Sequence, residues 1–156
     1  MRVRSPVRFI ATIAIAIAST TLSACGSSQV EPPRAVAPAN AEVSTALVID
    51  QFLRAANSND LDTMARLFGT RDGSILRRDP KEHVDRQMFA LASLLRHDSY
   101  SIKGQEVVPG RRDEATRVIV AMKFGDRNID VPYTLVWANA GTWMVETIDL
   151  MAITRR

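Results

Sequence analysis

Residues 116–138 (TRVIVAMKFGDRNIDVPYTLVWA) decide the fold class, because apolar side chains recur at every second position on both sides of a short polar turn. The alternation runs through 118–124 and again through 129–137. A period of two predicts two half-buried β-strands, and the polar residues 125–128 predict the hairpin turn that joins them. Pro132 has no backbone donor, so the second strand is predicted to lie at a sheet edge or to be bulged near this residue.

Outward from this hairpin, the same period predicts one more strand on each side, at residues 100–108 and 142–153. Before residue 97 the apolar period lengthens to about 3.6. It predicts three helices, at residues 43–57, 61–68 and 80–95. Helices followed by an antiparallel meander indicate an α+β class. We expect one domain at residues 42–156, with three N-terminal helices packed on a curved antiparallel sheet of about four strands.

Two local signals refine these helices. Asp79 is expected to cap the third helix, with Pro80 in its first turn and Glu82 reaching back to the helix start. On the first helix, Asp50 and Arg54 are four residues apart, which favours an ion pair on the face away from the apolar stripe.

The first 24 residues have the order of a secretory signal peptide. Residues 1–8 carry three arginines and no acid, residues 9–18 carry no charge, and residues 19–24 are small apart from one leucine. A membrane-spanning helix needs about 20 apolar residues, and this run is shorter. We therefore expect residues 1–24 to be removed after export, with a retained membrane anchor as the alternative.

The apolar run leads to Leu22, Ser23, Ala24 and Cys25, which resembles the bacterial lipobox. The resemblance implies that Leu22 binds in a pocket of the signal peptidase and that Cys25 takes a diacylglycerol before cleavage. Cys25 is the only cysteine, so no intramolecular disulfide can form. Two or more acyl chains make anchoring stable, and Cys25 is the expected lipidation site.

A spacer follows the cysteine. Residues 26–40 (GSSQVEPPRAVAPAN) are rich in proline and small side chains, so residues 25–41 are predicted to form the lipidated cysteine and a flexible tether. Loss of the three signal-peptide arginines lowers Lys+Arg from 20 to 17, against 17 Asp+Glu. This near-neutral balance lacks the basic footprint of a nucleic-acid-binding protein, and no nucleic-acid partner is expected.

Two stretches resemble the NTF2-like, or cystatin-like, α+β cone. Residues 46–68 (ALVIDQFLRAANSNDLDTMARLF) combine a helix, a polar break and a capped second helix, and residues 141–150 (GTWMVETIDL) supply a closing strand. The likeness is to bacterial lipoproteins with a DUF4878-type domain, within the SnoaL-like group, and spans most of residues 43–153. It implies a sheet wrapped around the long helix as a cone with an open end. Some members of that group are enzymes, and many bind ligands or proteins without chemistry.

A pocket in such a cone would be lined by apolar and aromatic side chains with few polar groups. Six side chains are candidates for its lining, although the aromatic ones are expected first of all to fill the core: Phe52, Met88, Tyr133, Trp137, Trp143 and Glu146. Strand alternation places Glu146 on the face of Met144 and Ile148 and Asp149 on the opposite face, and both faces look apolar. One of these acids is therefore a candidate for burial and acid–base chemistry. The alternative is that it meets solvent or pairs with an arginine.

The two histidines do not suggest a metal site. His83 shares a helical stripe with Gln87 and Ala90, off the core side, and is expected to be exposed or at a rim. His97 follows the helix end, where a cation suits the helix dipole. Neither has the ligand spacing of a zinc site, so no metal and no cofactor are expected. Asp130 is expected to face outward.

These patterns predict a lipoprotein anchored through Cys25 whose domain binds a small apolar ligand or an envelope protein without catalysis. A homodimer through the sheet is a further option. The alternative is a small SnoaL-like enzyme, of the isomerase or dehydratase type, with Glu146 or Asp149 as proton carrier. Gly26 stands where an aspartate would retain a Gram-negative lipoprotein at the inner membrane. We therefore expect the outer membrane, facing the periplasm, or the outer face of the membrane in a single-membrane source.

Overall fold

The computed structural model describes residues 41–112 and 114–155. The predicted signal peptide, the lipobox with Cys25 and all but the last residue of the predicted tether lie outside the described residues. Apart from Ala41, the described residues lie within the domain predicted at residues 42–156.

Three helices precede the main sheet, as the 3.6-residue period predicts. They are α1 (Ala41–Ser58), α2 (Leu61–Leu67) and α3 (Lys81–Leu95). The Asp60 carboxylate caps α2 by accepting a hydrogen bond from the Thr63 amide at 3.0 Å. The connection from α2 to α3 contains a small hairpin, β1 (Gly69–Thr70) with β2 (Gly73–Ser74), and a 3-10 turn (Ile75–Arg77).

The start of α3 differs from the prediction. Pro80 is its N-cap residue and makes no side-chain cap, while the Asp79 carboxylate accepts a hydrogen bond from Arg78 Nε at 3.3 Å. The 3-10 turn explains this, because the Asp79 amide donates to the Ile75 carbonyl at 3.0 Å and holds residue 79 in the preceding turn. The prediction that Asp79 caps α3 is therefore wrong.

The main sheet has four antiparallel strands in chain order. They are β3 (Ser99–Val107), β4 (Ala115–Phe124), β5 (Arg127–Ala138) and β6 (Thr142–Ile148). Pro132 lies on an inner strand, β5, where it pairs with Ile119, and the ladder to β6 ends one residue away at Tyr133. The register between β5 and β6 shifts between Thr134 and Leu135. Of the two options predicted for Pro132, the nearby bulge is confirmed and the edge strand is not.

The last strand is shorter than predicted. β6 ends at Ile148, and a short helix, α4 (Leu150–Thr154), follows where a strand was expected to continue to residue 153. Asp149 makes this turn, since its amide donates to the Pro132 carbonyl at 2.9 Å and its carboxylate accepts from the Met151 amide at 3.1 Å. The chain is thereby tied to β5 and capped as a helix.

The helices cover one face of the main sheet. Phe52 of α1 and Met88 of α3 are fully buried against alternate side chains of the inner strands. Those strand side chains are Val118, Val120, Met122, Val131, Tyr133 and Leu135. The α+β class and the four-stranded antiparallel sheet are confirmed, and α4 raises the number of helices in the described part from three to four. A further register shift between Ile102 and Gly104 of β3 adds a bend.

Candidate functional site

An apolar cavity of about 370 Å³ opens between α3 and the end of β6, and we call it the α3–β6 cavity. Six side chains make its apolar walls: Phe68, Ala90, Leu91, Leu94, Ile148 and Leu150. Gln87, Glu146 and Thr147 add polar groups to the lining. Sites for small molecules start at about 300 Å³ and are mostly apolar, with a few polar groups that fix the orientation of the ligand. The cavity has this composition.

One stripe of α3 forms the helical wall. Gln87, Ala90 and Leu94 recur at spacings of three and four residues, so they lie on one side of the helix. Leu94 is 40% exposed, which leaves the cavity open to solvent along α3. The sequence placed Gln87 and Ala90 off the core side, and the structure confirms it. His83, from the same predicted stripe, is exposed.

A β-bulge in β6 forms the opposite wall. Leu135 pairs with Val145 and Thr134 pairs with Thr147, which leaves Glu146 as the extra residue. A bulge bends its strand and redirects side chains. Glu146 consequently leaves the regular alternation of β6 and lines the cavity.

The bulge also shifts the alternation of the following residues by one position. Val145 and Ile148 both pack in the main core, although three positions separate them, whereas Met144 packs with Val136 in a separate cluster. The predicted common face of Glu146, Met144 and Ile148 is therefore wrong. A one-residue insertion moves each later side chain to the other face of a strand.

Arg111, in the connection between β3 and β4, holds Glu146. Its Nη1 lies 2.6 Å from Oε2 and its Nη2 lies 3.1 Å from Oε1, which is a bidentate pair. The side chains are 36% exposed for Arg111 and 20% for Glu146, so solvent screens the pair in part. The hydrogen bonds with the carboxylate raise the pKa of Arg111 above its usual value. Of the two alternatives that the sequence left open for Glu146, burial as a lone acid or pairing with an arginine, the structure shows the pairing.

Helix α4, which contributes Leu150 to the cavity, is held by hydrogen bonds at both of its ends. Asp149 caps its start, and Arg127 Nη2 donates to the Ile153 and Arg155 carbonyls, each at 3.2 Å. A cation at the C-terminal carbonyls satisfies groups that have no partner within the helix. Leu150 is therefore held in position, while Asp149 itself is exposed and serves as a cap.

A second, polar groove of about 570 Å³ lies between α1 and the start of β3. The Tyr100 hydroxyl donates to Asp50 Oδ1 at 2.5 Å, and Arg54 Nε donates to the same oxygen at 2.9 Å. The predicted pair of Asp50 and Arg54 is confirmed. The same carboxylate also joins α1 to the sheet.

These contacts shift two pKa values. The hydrogen bond from Tyr100, followed by that from Arg54, lowers the pKa of Asp50 below its ordinary value. Burial, followed by the bond to Asp50, raises the pKa of Tyr100 to about 12. Both shifts favour an ionised carboxylate that accepts from a neutral phenol, so the contact is fully formed at neutral pH.

Asn57 closes the same groove nearer the end of α1. Its Oδ1 accepts from the His97 amide at 3.1 Å, and its Nδ2 donates to the His97 carbonyl at 3.0 Å. The His97 Nδ1 is 2.8 Å from the carbonyl of Leu95, the last residue of α3. The His97 ring meets Tyr100 edge-on, with centroids 5.4 Å apart. We call Asp50, Asn57, His97 and Tyr100 the α1–β3 seam.

Of the six predicted lining residues, five lie in the main core or against it. Three are fully buried in the main core: Phe52, Met88 and Tyr133. Trp143 is 3% exposed and meets the half-buried Trp137 edge-on, with ring centroids 5.5 Å apart. Glu146 is the member of the set that lines the α3–β6 cavity.

Sequence reasoning missed other residues of both features. Leu94 continues the stripe of Gln87 and Ala90 by one more turn, so a helical-wheel argument was sufficient to find it. Tyr100 is 50 positions from Asp50, and neither residue type signals the other. The seam therefore had no local signal.

Other predicted features are outside these two sites. Asp130 is exposed and pairs with Lys103 at 2.7 Å, which confirms its outward position. Within residues 41–112 and 114–155, no group of three or more His, Cys, Asp or Glu side chains is placed to hold a metal ion. Across those same ranges, none of the helices combines the length and the apolar character needed to cross a membrane.

Comparisons with known proteins add little to this description. No protein-family model matches the chain, and no curated protein matches it. Among solved structures, the chain is similar to an NTF-2 like protein of unknown function from Silicibacter pomeroyi DSS-3. The TM-score is 0.46 and the identity 10%, over 69% of this chain and 91% of that chain. At these values the likeness carries no argument about family or function.

Proposed function

We propose that this protein is a membrane-anchored lipoprotein of the cell envelope whose NTF2-like domain binds other molecules without catalysing a reaction. The observation that carries the proposal is the α3–β6 cavity, which is mainly apolar and includes one ion-paired carboxylate. Sites of this composition gain affinity from burial of apolar surface, while the few polar groups orient the ligand.

The cavity walls are held in place by contacts of the protein itself. Leu91 and Ile148 are 8% and 9% exposed, so the main core fixes one side of each. Leu150 is fixed through the two anchored ends of α4. A preformed site loses less conformational entropy when a ligand binds, which favours binding by this cavity.

The anchoring part of the proposal is supported by the residues at the start of the chain. Cys25 completes the lipobox-like run, and the composition of residues 26–40, rich in proline and small side chains, is typical of a spacer. At about 3.1 Å per residue, an extended spacer of this length reaches roughly 45 Å from the membrane. The domain would then face the periplasm from the outer membrane in a Gram-negative source.

Growth of cells with an alkyne-tagged fatty acid tests the anchor. We expect the full chain to carry the label and to leave the membrane fraction with detergent and not with salt. Cys25→Ser should remove the label and leave an uncleaved precursor. Ser23→Ala keeps a small residue at its position, so this variant should still be labelled and cleaved. A labelled Cys25→Ser chain would contradict lipidation at this residue.

Methyl NMR tests the cavity. The polypeptide from residue 25 onward with Cys25→Ser contains all the described residues and avoids acylation. Addition of an envelope lipid and metabolite extract should shift the methyl signals of Leu91, Leu94 and Ile148. Ala90→Phe, at an exposed lining position, should abolish the response, and Ser93→Phe, exposed but outside the lining, should not.

The proposal includes a second class of binding partner, which is another protein or a second copy of this chain. Ile119 is half-buried on the outer sheet face, between the core-facing Val118 and Val120. If the extract has no effect and Ile119→Glu breaks a dimer seen by sedimentation, the sheet is the binding surface. In that case the cavity does not carry the function.

One observation favours a SnoaL-like enzyme as the second candidate: Glu146 lines an apolar cavity. The two functions differ in the fate of the ligand. A binding domain returns its ligand unchanged, whereas an enzyme converts it and Glu146→Gln stops the conversion while binding persists. The NMR spectrum of a bound ligand, recorded over hours with the native chain and with Glu146→Gln, shows whether the ligand is converted and so distinguishes the two functions.

A further inference from the structure

The charge of the α3–β6 cavity lining is one-sided, which allows the cavity to discriminate among amphiphilic ligands by their head groups. Its lining within the described residues contains one charged side chain, Glu146, and no cation. We infer that the cavity binds a single-chain amphiphile whose head group donates hydrogen bonds to Glu146, with an ammonium head preferred to a hydroxyl and a hydroxyl preferred to a carboxylate. This inference rests on the proposed binding function and adds the class and orientation of the ligand.

Arg111 does not provide a site for an anionic head. Its Nη1 and Nη2 are both engaged by Glu146, at 2.6 and 3.1 Å, and Arg111 is not part of the lining. An ionised carboxylate has about four lone-pair sites, so Glu146 keeps about two for a donor in the cavity. A carboxylate head has no hydrogen-bond donor for these lone pairs, and it would meet a carboxylate whose charge Arg111 offsets.

The volume holds about one apolar chain. A water molecule occupies about 30 Å³ of liquid, so a cavity of about 370 Å³ has room for roughly twelve groups of that size. An unbranched chain of about ten carbons with a small head group matches this volume. A diacyl lipid could place only one of its two chains within this volume.

Isothermal titration of three ten-carbon probes tests the inference at constant chain length. Decylammonium, decanol and decanoate are each added below their micelle-forming concentrations, at pH 7, to the polypeptide from residue 25 onward with Cys25→Ser. We expect decylammonium to bind about fivefold more tightly than decanoate, which corresponds to the upper end of the range for one partly exposed ion pair. Decanol should lie between them.

Two variants should move this selectivity in opposite directions. Glu146→Gln should lower the ratio of the decylammonium and decanoate affinities to one or below, because it removes the acceptor charge and leaves Arg111 without its anionic partner. Arg111→Gln should raise that ratio, because it leaves the carboxylate without its neutralising partner. A general loosening of the domain cannot produce changes of opposite sign, and near-UV circular dichroism verifies that both variants are folded.

Ala90→Phe should weaken all three probes by at least about tenfold, since it occupies the space of several buried methylenes, and Ser93→Phe should not. Equal binding of the three probes that Ala90→Phe abolishes would overturn the head-group inference and leave the binding function intact. Binding that Ala90→Phe does not affect would place the ligand elsewhere and overturn the inference. If no probe binds while Ala90→Phe changes the oligomeric state, the cavity is a protein interface and the ligand inference fails.

Discussion

On the side of α1, the helix layer meets the sheet through hydrogen bonds, whereas on the side of α3 it leaves an apolar cavity. At the α1–β3 seam, the Asp50 carboxylate accepts from Tyr100 at 2.5 Å, and the Asn57 amide pairs with the His97 backbone at 3.0 and 3.1 Å. Hydrogen bonds require short, directed contacts and hold two surfaces together. Apolar contact has no such direction; the walls of the cavity are held by the main core and by α4, and the space between them can admit a ligand.

The difference follows from where each strand departs from regular pairing. In β6 the extra residue Glu146 interrupts the core-facing row between Val145 and Ile148. The row resumes at Ile148 instead of at residue 147, and the cavity lies beside this interruption. In β3, Tyr100 is in regular register with Met122, before the shift that follows Ile102, and reaches α1. The bulge in β6 thus lies at the α3–β6 cavity, whereas the register shift in β3 lies outside the α1–β3 seam.

The largest expected effect on the free energy of unfolding comes from creating a cavity in the main core. Phe52 is fully buried and stacks on Phe68 at 6.3 Å between ring centroids. Phe52→Ala should lower the free energy of unfolding by about 3 to 5 kcal/mol, measured by urea denaturation. Phe89→Ala, at a position 59% exposed on α3, is the control and should change it by less than about 0.5 kcal/mol. Equal effects of the two changes would mean that the interior is not closed.

Breaking the seam should cost less. Tyr100→Phe removes a hydrogen bond to a partly exposed carboxylate and should lower the free energy of unfolding by about 1 to 2 kcal/mol. Tyr133→Phe is the matched control, because the Tyr133 hydroxyl meets only the weak acceptor Met122 Sδ at 3.2 Å. If Tyr133→Phe costs more than Tyr100→Phe, the seam is not a stabilising joint.

The seam also predicts a pH dependence at both ends of the scale. The pKa of Asp50 is lowered in the folded state, so its contribution is present above the unfolded value and is lost as pH falls through the folded value. The stability difference between native chain and Tyr100→Phe should therefore shrink in acid. The pKa of Tyr100 is raised to about 12, so its contribution is lost as pH rises from about 10 to 12. Because the chain has two tyrosines, the alkaline measurement is made in a Tyr133→Phe background.

The fold was predictable where its cause is local. The alternation in residues 116–138 predicted both inner strands, and the helical period predicted α1, α2 and α3, because burial of one face imposes the pattern on neighbouring residues. The end of β6 was not predictable in this way. Residues 148–153 suit a strand, and α4 forms because Asp149 contacts Pro132 on another strand.

The site was predictable only in part, for the same reason. Gln87 and Ala90 could be placed off the core side from one helix alone. The position of Glu146 depends on a bulge and on Arg111, which is 35 residues away, and a single strand carries no signal for either. Alternation then assigned Ile148 to the wrong face.

A smaller effect is expected from Asn57, whose amide tethers an exposed backbone. Asn57→Ala removes both hydrogen bonds to His97 but improves helix propensity, so the free energy of unfolding should fall by about 0.5 to 1 kcal/mol. Hydrogen exchange of the His97 amide should become faster. Gln51→Ala, on an exposed position of the same helix, should leave that amide unchanged.

The smallest effect on stability is expected at the site itself. Glu146→Gln removes the charge of a partly exposed pair while the amide oxygen can still accept from Arg111, so the free energy of unfolding should fall by about 0.5 kcal/mol. Urea denaturation of Glu146→Gln beside Tyr100→Phe measures the contrast directly. A loss larger than that of Tyr100→Phe would make the Arg111–Glu146 pair a structural joint like the seam. A small loss, combined with changed ligand selectivity, means that Glu146 serves binding more than it serves folding.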